Sequence, residues 1–161
     1  MEKTTIIGVM GGGTATPKDM AAAYELGRLI AKEGWILLNG GRNGGIMDAS
    51  AKGAADHGGI TVGILPDENN ASVSEYIKIP VLTGMGNARN AINVLSSNVV
   101  VACPGGAGTL SEIALALKCG KTVILYKFNP GKTFNRYREA GRLLDAGSPE
   151  AVIKEIKKIL I

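Results

Sequence analysis

Short aliphatic runs rich in Val and Ile alternate along this chain with longer stretches whose apolar residues recur every three or four positions. These are the patterns of buried strands and of amphipathic helices. Residues 4–10 form the first such strand and run into Gly11-Gly12-Gly13-Thr14-Ala15-Thr16. Pro17 then stands where proline is favoured, in the first turn of a helix, with Thr16 as its N-cap. Ala21, Tyr24, Leu26, Leu29 and Ile30 give that helix an apolar side, and Gly34 ends it. Residues 35–39 read as a second strand, 40–45 as its glycine loop, and 46–57 as an alanine-rich helix.

The alternation continues. Residues 60–65 are a third strand closed by Pro66 and a polar loop, and residues 77–82 a fourth. Thr83-Gly84-Met85-Gly86 introduces a helix through Arg89, Ile92 and Leu95, followed by a strand over 98–102. A helix over 110–118, a strand over 122–128, a turn at 129–132 and a helix over 137–145 come next. Ser148-Pro149-Glu150 starts a last amphipathic helix with Val152, Ile153, Ile156 and Ile159 inward. Strands alternating with helices across short loops imply right-handed crossovers. The expected fold is therefore α/β: a Rossmann-like, doubly wound, mainly parallel sheet with helices on both faces. No linker or repeat divides it, so residues 1–161 are expected to form a single domain.

The richest glycine loops all follow strands directly, which in a parallel sheet gathers them at the carboxyl edge, where open α/β folds bind ligands. In Pro104-Gly105-Gly106-Ala107-Gly108-Thr109, three glycines in four positions separate a strand from a helix. That turn aims unpaired N–H groups and the positive end of a helix dipole at one point, with no side chain in the way. A phosphate is the simplest ligand for it. Thr109-x-x-Glu112 also has the spacing of a capping box, which would make Glu112 a helix cap rather than a site carboxylate.

Composition and failed motifs narrow the field. Aromatics at 4% argue against base-stacking platforms, and a net charge of +4 without a Lys/Arg block suits an anionic small molecule better than a nucleic acid. The first loop lacks the third glycine of a dinucleotide fingerprint, and the second strand ends in Asn39-Gly40 without the ribose-binding acid. Gly120-Lys121-Thr122 and Gly131-Lys132-Thr133 lack the upstream glycine of a P-loop. With a lone histidine, His57, at a predicted helix end, and with Cys103 and Cys119 far apart, no metal site is expected. Both thiols are expected to be buried in a reducing compartment. No apolar run approaches a membrane span and no signal-peptide core is present, so the expected setting is cytoplasmic, without a membrane partner.

The run Pro104-Gly105-Gly106-Ala107-Gly108-Thr109-Leu110-Ser111-Glu112 resembles the PGGxGTxxE motif of the Lonely Guy family, a group also labelled lysine decarboxylase-like. Arg89 stands at the spacing of that family's arginine, fifteen residues before Pro104. Gly40-Gly41-Arg42-Asn43-Gly44-Gly45-Ile46-Met47 is similar to its second glycine loop. Lonely Guy enzymes hydrolyse cytokinin ribotides to the free base and ribose 5-phosphate. The resemblance would make Arg89 and Glu112 a catalytic pair. It would make Gly105, Gly106, Ala107, Gly108 and Thr109 the phosphate cradle, with Gly12, Gly13, Gly41, Arg42 and Gly44 completing the binding edge.

Three features depart from that pattern. Asn90 follows Arg89 where the family has lysine, Arg42 replaces a small residue, and the chain is shorter than typical Lonely Guy enzymes. In these it looks more like the molybdenum cofactor carrier proteins, which share the fold and bind a phosphorylated pterin without transforming it. The expectation is a binding or carrier protein with molybdenum cofactor as its ligand. The alternatives are a nucleoside 5′-monophosphate phosphoribohydrolase and, more remotely, a nucleotide sensor. The resemblance also implies a homo-oligomer, dimer or tetramer. Met47 and Met85 read as core filler, and 67–70 as an acidic turn. Asn87 and Asn93, near Arg89, are compatible with solvent-facing positions, and Arg136, Arg138 and Arg142 with a solvated helix face.

Overall fold

The computed structural model describes residues 4–161, and its backbone follows the alternation of the sequence. β1 (Ile6–Met10), β2 (Ile36–Asn39), β3 (Thr61–Leu65), β4 (Ile79–Leu82), β5 (Val99–Ala102), β6 (Thr122–Tyr126) and β7 (Leu143–Ala146) form one sheet. Its order is β4-β3-β2-β1-β5-β6-β7 and every pairing is parallel. The helices are α1 (Pro17–Lys32), α2 (Gly45–Ala55), α3 (Arg89–Ser96), α4 (Ala107–Lys118), α5 (Asn135–Glu139) and α6 (Pro149–Ile159).

Successive strand residues serve opposite cores, as the pleat requires. Val99 and Val101 pack with α1, α2 and α6 residues such as Leu26, Ile46 and Val152. Val100 and Ala102 pack with α3 and α4 residues such as Val94, Ile113 and Leu117. Both faces are covered, so β1 and β5 carry no polar side chain. The fold is the expected doubly wound α/β sandwich. Strand order reverses between β1 and β5, which opens a crevice at their carboxyl ends.

Thr16 and Ser148 cap α1 and α6 as expected, accepting from Asp19 N and Ala151 N. Several expectations are corrected. The stretch 137–145 is not one helix: α5 ends at Glu139, Gly141 takes φ +69°, and the chain enters β7 beside β6. β6 stops at Tyr126. α4 begins at Ala107, before Thr109, so Thr109 and Glu112 lie inside the helix and form no capping box. Only Cys103 is buried; Cys119 is exposed at the end of α4. Arg142 sits on no helix face, because its Nη2 donates to Leu117 O at 2.7 Å and Lys121 O at 3.2 Å, closing the carboxyl end of α4. Among the described residues no helix is long and apolar enough to cross a membrane.

Candidate functional site

The crevice at the strand-order reversal holds a cavity of about 450 Å³. One end is made by the two glycine loops that flank it. Gly12 N donates to Pro104 O at 3.0 Å, which ties the loop after β1 to the turn after β5. Gly12, Gly13, Gly106, Gly108 and Thr109 line this end.

Of the helix ends around the cavity, α1 has a side-chain cap, whereas α2 and α3 have none, although the Ile46 N–H of α2 is taken by Gly12 O at 2.9 Å. α4 has no side-chain cap, and its first backbone bond is Leu110 N to Gly106 O at 3.0 Å. The N–H groups of Ala107, Gly108 and Thr109 therefore lack partners within the helix, and they carry the positive end of its dipole. A Cβ built on Gly106 meets nothing within 4 Å, so glycine there keeps open space rather than relieving a clash.

α3 supplies the charged floor. Arg89 Nη1 lies 3.7 Å from Glu112 Oε1, with the two side chains only 12% and 7% exposed. Asn93 Nδ2 donates to the same Glu112 oxygen at 2.9 Å. Burial pushes the Glu112 carboxyl up, against the opposing effects of Asn93 and Arg89. Burial likewise lowers Arg89, with Glu112 opposing. Arg89 Nη1 also donates to Asn90 Oδ1, Asn90 Nδ2 donates to Ser111 Oγ at 3.0 Å, and Ser111 Oγ donates to Gly108 O at 2.6 Å. A hydrogen-bonded chain thus runs from the guanidinium to the glycine turn. Gly40 makes room for it, since a Cβ there would lie 2.7 Å from Arg89 Nη2. Among the described residues Arg89 Nε and Asn93 Oδ1 are buried without a hydrogen-bond partner, a deficiency that folds seldom tolerate away from functional sites.

The opposite wall comes from the loops after β2 and β3. Arg42 Nη2 reaches Asp67 Oδ1 and Oδ2 at 3.1 and 3.3 Å, so Arg42 is a paired cation on the cavity wall. Of residues 67–70, read as an acidic turn, Asp67 lines the cavity. Met47 lines the cavity and Met85 is 52% exposed, so neither is core filler. Asn87 lines the cavity, whereas Asn93 is fully buried instead of facing solvent.

A family model described as the SLOG cluster4 family matches residues 4–153. The chain belongs to that family. Within the SLOG frame the likeness to Lonely Guy proteins drawn from the glycine motif is borne out, with a molybdenum-cofactor-carrier character. The molybdenum cofactor binding protein from the phototrophic bacterium Rippkaea orientalis superposes with a TM-score of 0.93 at 50% identity, over 100% of both chains. The molybdenum cofactor carrier protein of Chlamydomonas reinhardtii gives 0.90 at 42% identity, over 98% of this chain and 99% of that one. A cytokinin riboside 5′-monophosphate phosphoribohydrolase of Mycobacterium marinum is 30% identical over 100 residues. Those residues make up 60% of this chain, and the match spans 53% of the length of the hydrolase.

Among the residues expected at the SLOG site, Arg42, Arg89 and Glu112 join the glycine-loop residues on the cavity wall. Gly41, Gly44 and Gly105 do not line it and shape the loops instead, and Ala107 opens α4 between the lining residues Gly106 and Gly108. Gly41, at φ +78°, packs on Leu65, and Gly44 is the N-cap of α2 beside Gly13 O. A Cβ on Gly105 would lie 2.9 Å from Gly12 N. Sequence reasoning gave no role to Asn90, Asn93 or Asp67. Asn93, four positions after Arg89 on one helix face, and Asp67, just past a strand end, were the available signals.

Proposed function

We propose that this SLOG chain binds a phosphorylated pterin of the molybdenum cofactor type and holds it by its phosphate without transforming it. The observation that carries this reading is the uncapped amino end of α4, opening on a cavity floored by Arg89. The N–H groups of Ala107, Gly108 and Thr109 and the Thr109 hydroxyl offer donors to phosphate oxygens, and Arg89 offers the countercharge. Asn90 holds the guanidinium to the Ser111–Gly108 chain, a fixed geometry suited to retention. The names of the Rippkaea and Chlamydomonas proteins support the ligand class.

A second reading rests on the buried Arg89–Glu112 pair. A carboxylate beside a ribose stabilises oxocarbenium character or activates water, so the same cavity would suit phosphoribohydrolysis. One variant tests the cradle both readings share, and a second separates them. Gly106→Val puts a side chain into the cradle, where a Cβ meets nothing within 4 Å, and should abolish binding of ribose 5-phosphate and of molybdenum cofactor released from a donor. Glu112→Ala should keep most of that binding. If the wild type instead releases base from nucleoside 5′-monophosphates, and Glu112→Ala stops it, the protein is a hydrolase.

The chain is further proposed to act as a homo-oligomer, dimer or tetramer. Apolar Ile79, Val81 and Leu82 are exposed on edge strand β4, which supports such an assembly. Light scattering should return a multiple of the 16.7 kDa chain mass; a monomer at micromolar concentration would contradict it.

A further inference from the structure

The end of the cavity away from the phosphate cradle carries a charged pair that the reading above leaves without a task. Arg42 and Asp67 have side chains 47% and 32% exposed, and a surface pair of that kind adds little to stability. Yet both are built in. An antiparallel bridge joins Arg42 to Val73, and Asn43 N donates to Ser72 O at 2.9 Å. Ser72 Oγ donates to Asp67 Oδ2 at 2.6 Å, while Gly84 N donates to Asp67 O at 3.2 Å. The Ser72 hydroxyl first, and then the charge of Arg42, hold the Asp67 carboxyl below its usual range, so it stays an anion.

The pair also has capacity to spare. Arg42 uses Nη2 alone, and its Nε and Nη1 make no hydrogen bond among the described residues. Two donor groups, Arg42 Nη2 and Ser72 Oγ, reach Asp67, and a carboxylate has about four acceptor positions, which leaves room for two more. The cradle lies over β1 and β5, and the pair lies over β2 and β3, two strand spacings or about 10 Å away. That is the reach from a phosphate to the far edge of a fused bicyclic ring. Met47 and Pro66 line the cavity with apolar surface for such a ring. A carboxylate beside a guanidinium presents acceptors next to a donor.

We propose that Arg42 and Asp67 together read the 2-amino-4-oxo edge of a fused pyrimidine ring at the end of the ligand away from its phosphate. Asp67 accepts from the ring N–H and the exocyclic amine, and Arg42 donates to the ring carbonyl. The proposal rests on the phosphate-end reading above. Guanine and pterin share this edge. Hypoxanthine lacks the amine, and adenine turns a ring lone pair toward the carboxylate.

Calorimetric titration of the full chain with GMP, IMP, AMP, a neopterin monophosphate and ribose 5-phosphate tests it. GMP and the neopterin phosphate should bind at least about tenfold tighter than IMP and AMP, since a charged acceptor left unpaired is costly. The tighter of the two names the source of the ring. In Asp67→Asn the ratio of GMP to IMP affinity should fall to within about twofold. Loss of folded protein would leave that ratio unmoved. Arg42→Ala should weaken GMP by about tenfold or more relative to ribose 5-phosphate. If GMP, IMP and AMP bind alike while ribose 5-phosphate binds, or if Asp67→Asn keeps the full preference, edge reading is overturned and the phosphate end stands. If ribose 5-phosphate fails to bind the wild type, the phosphate-end reading falls, and this inference with it.

Discussion

Glu112 shows how a residue's place in the motif understates its environment. Its spacing from Thr109 fits a cap as well as a catalyst, and only the start of α4 at Ala107 removes the first option. Inside the helix the carboxyl turns toward Asn93 and Arg89, where burial raises it above its unfolded value. The folded chain therefore binds this proton more tightly than the unfolded chain. The stabilisation is present below the ordinary glutamate range and is lost as pH climbs through the raised value. Glu112→Gln is blind to that titration. In urea unfolding, the stability of wild type relative to Glu112→Gln should increase as pH falls from about 8 to about 5. A difference that grows toward alkaline pH would mean that Arg89 and Asn93 outweigh burial. Asn93 itself had a signal in its spacing from Arg89. The Asn90–Ser111 contact joins two helices and had none, because the packing angle of α3 on α4 is not written locally.

At the scale of elements, the strands with continuous Val and Ile runs and the helices with side-chain caps were legible. The exception was β7. Leu143-Leu144-Asp145-Ala146 is a short edge strand with polar Asp145, so neither a β-branched run nor strict alternation marks it, and the apolar pair extends a helical spacing from Tyr137. Gly141, in a left-handed turn, was the break that went unread. The contact of α1 with α2 depends on missing side chains. Gly27 is buried mid-helix, and a Cβ there would lie 2.9 Å from the Ser50 carbonyl carbon and 3.0 Å from Ala54 N. In a free helix Gly→Ala gains about 1 kcal/mol. Here Gly27→Ala should destabilise by about 1–3 kcal/mol in chemical denaturation, because backbone cannot yield as a side chain can. A stabilising result would mean that the two helices do not touch as described.

For the whole molecule, sheet order does the functional work. Alternating elements were enough to read a parallel sheet, but not the reversal between β1 and β5 that places two glycine loops side by side and the Arg42–Asp67 pair beyond them. The resemblance to Lonely Guy proteins put Arg89, Glu112 and the glycine turn in one place; the third dimension added Asn90, Asn93 and Asp67. The central claim is that this constellation retains a phosphorylated pterin intact. The most direct measurement incubates the purified chain anaerobically with a molybdenum cofactor donor, re-isolates it, and determines molybdenum and pterin per chain alongside the Gly106→Val variant. The account predicts near-stoichiometric pterin, released unchanged on denaturation and absent from Gly106→Val. Wild-type protein that emerges without pterin, or that carries as much as the variant does, would contradict it.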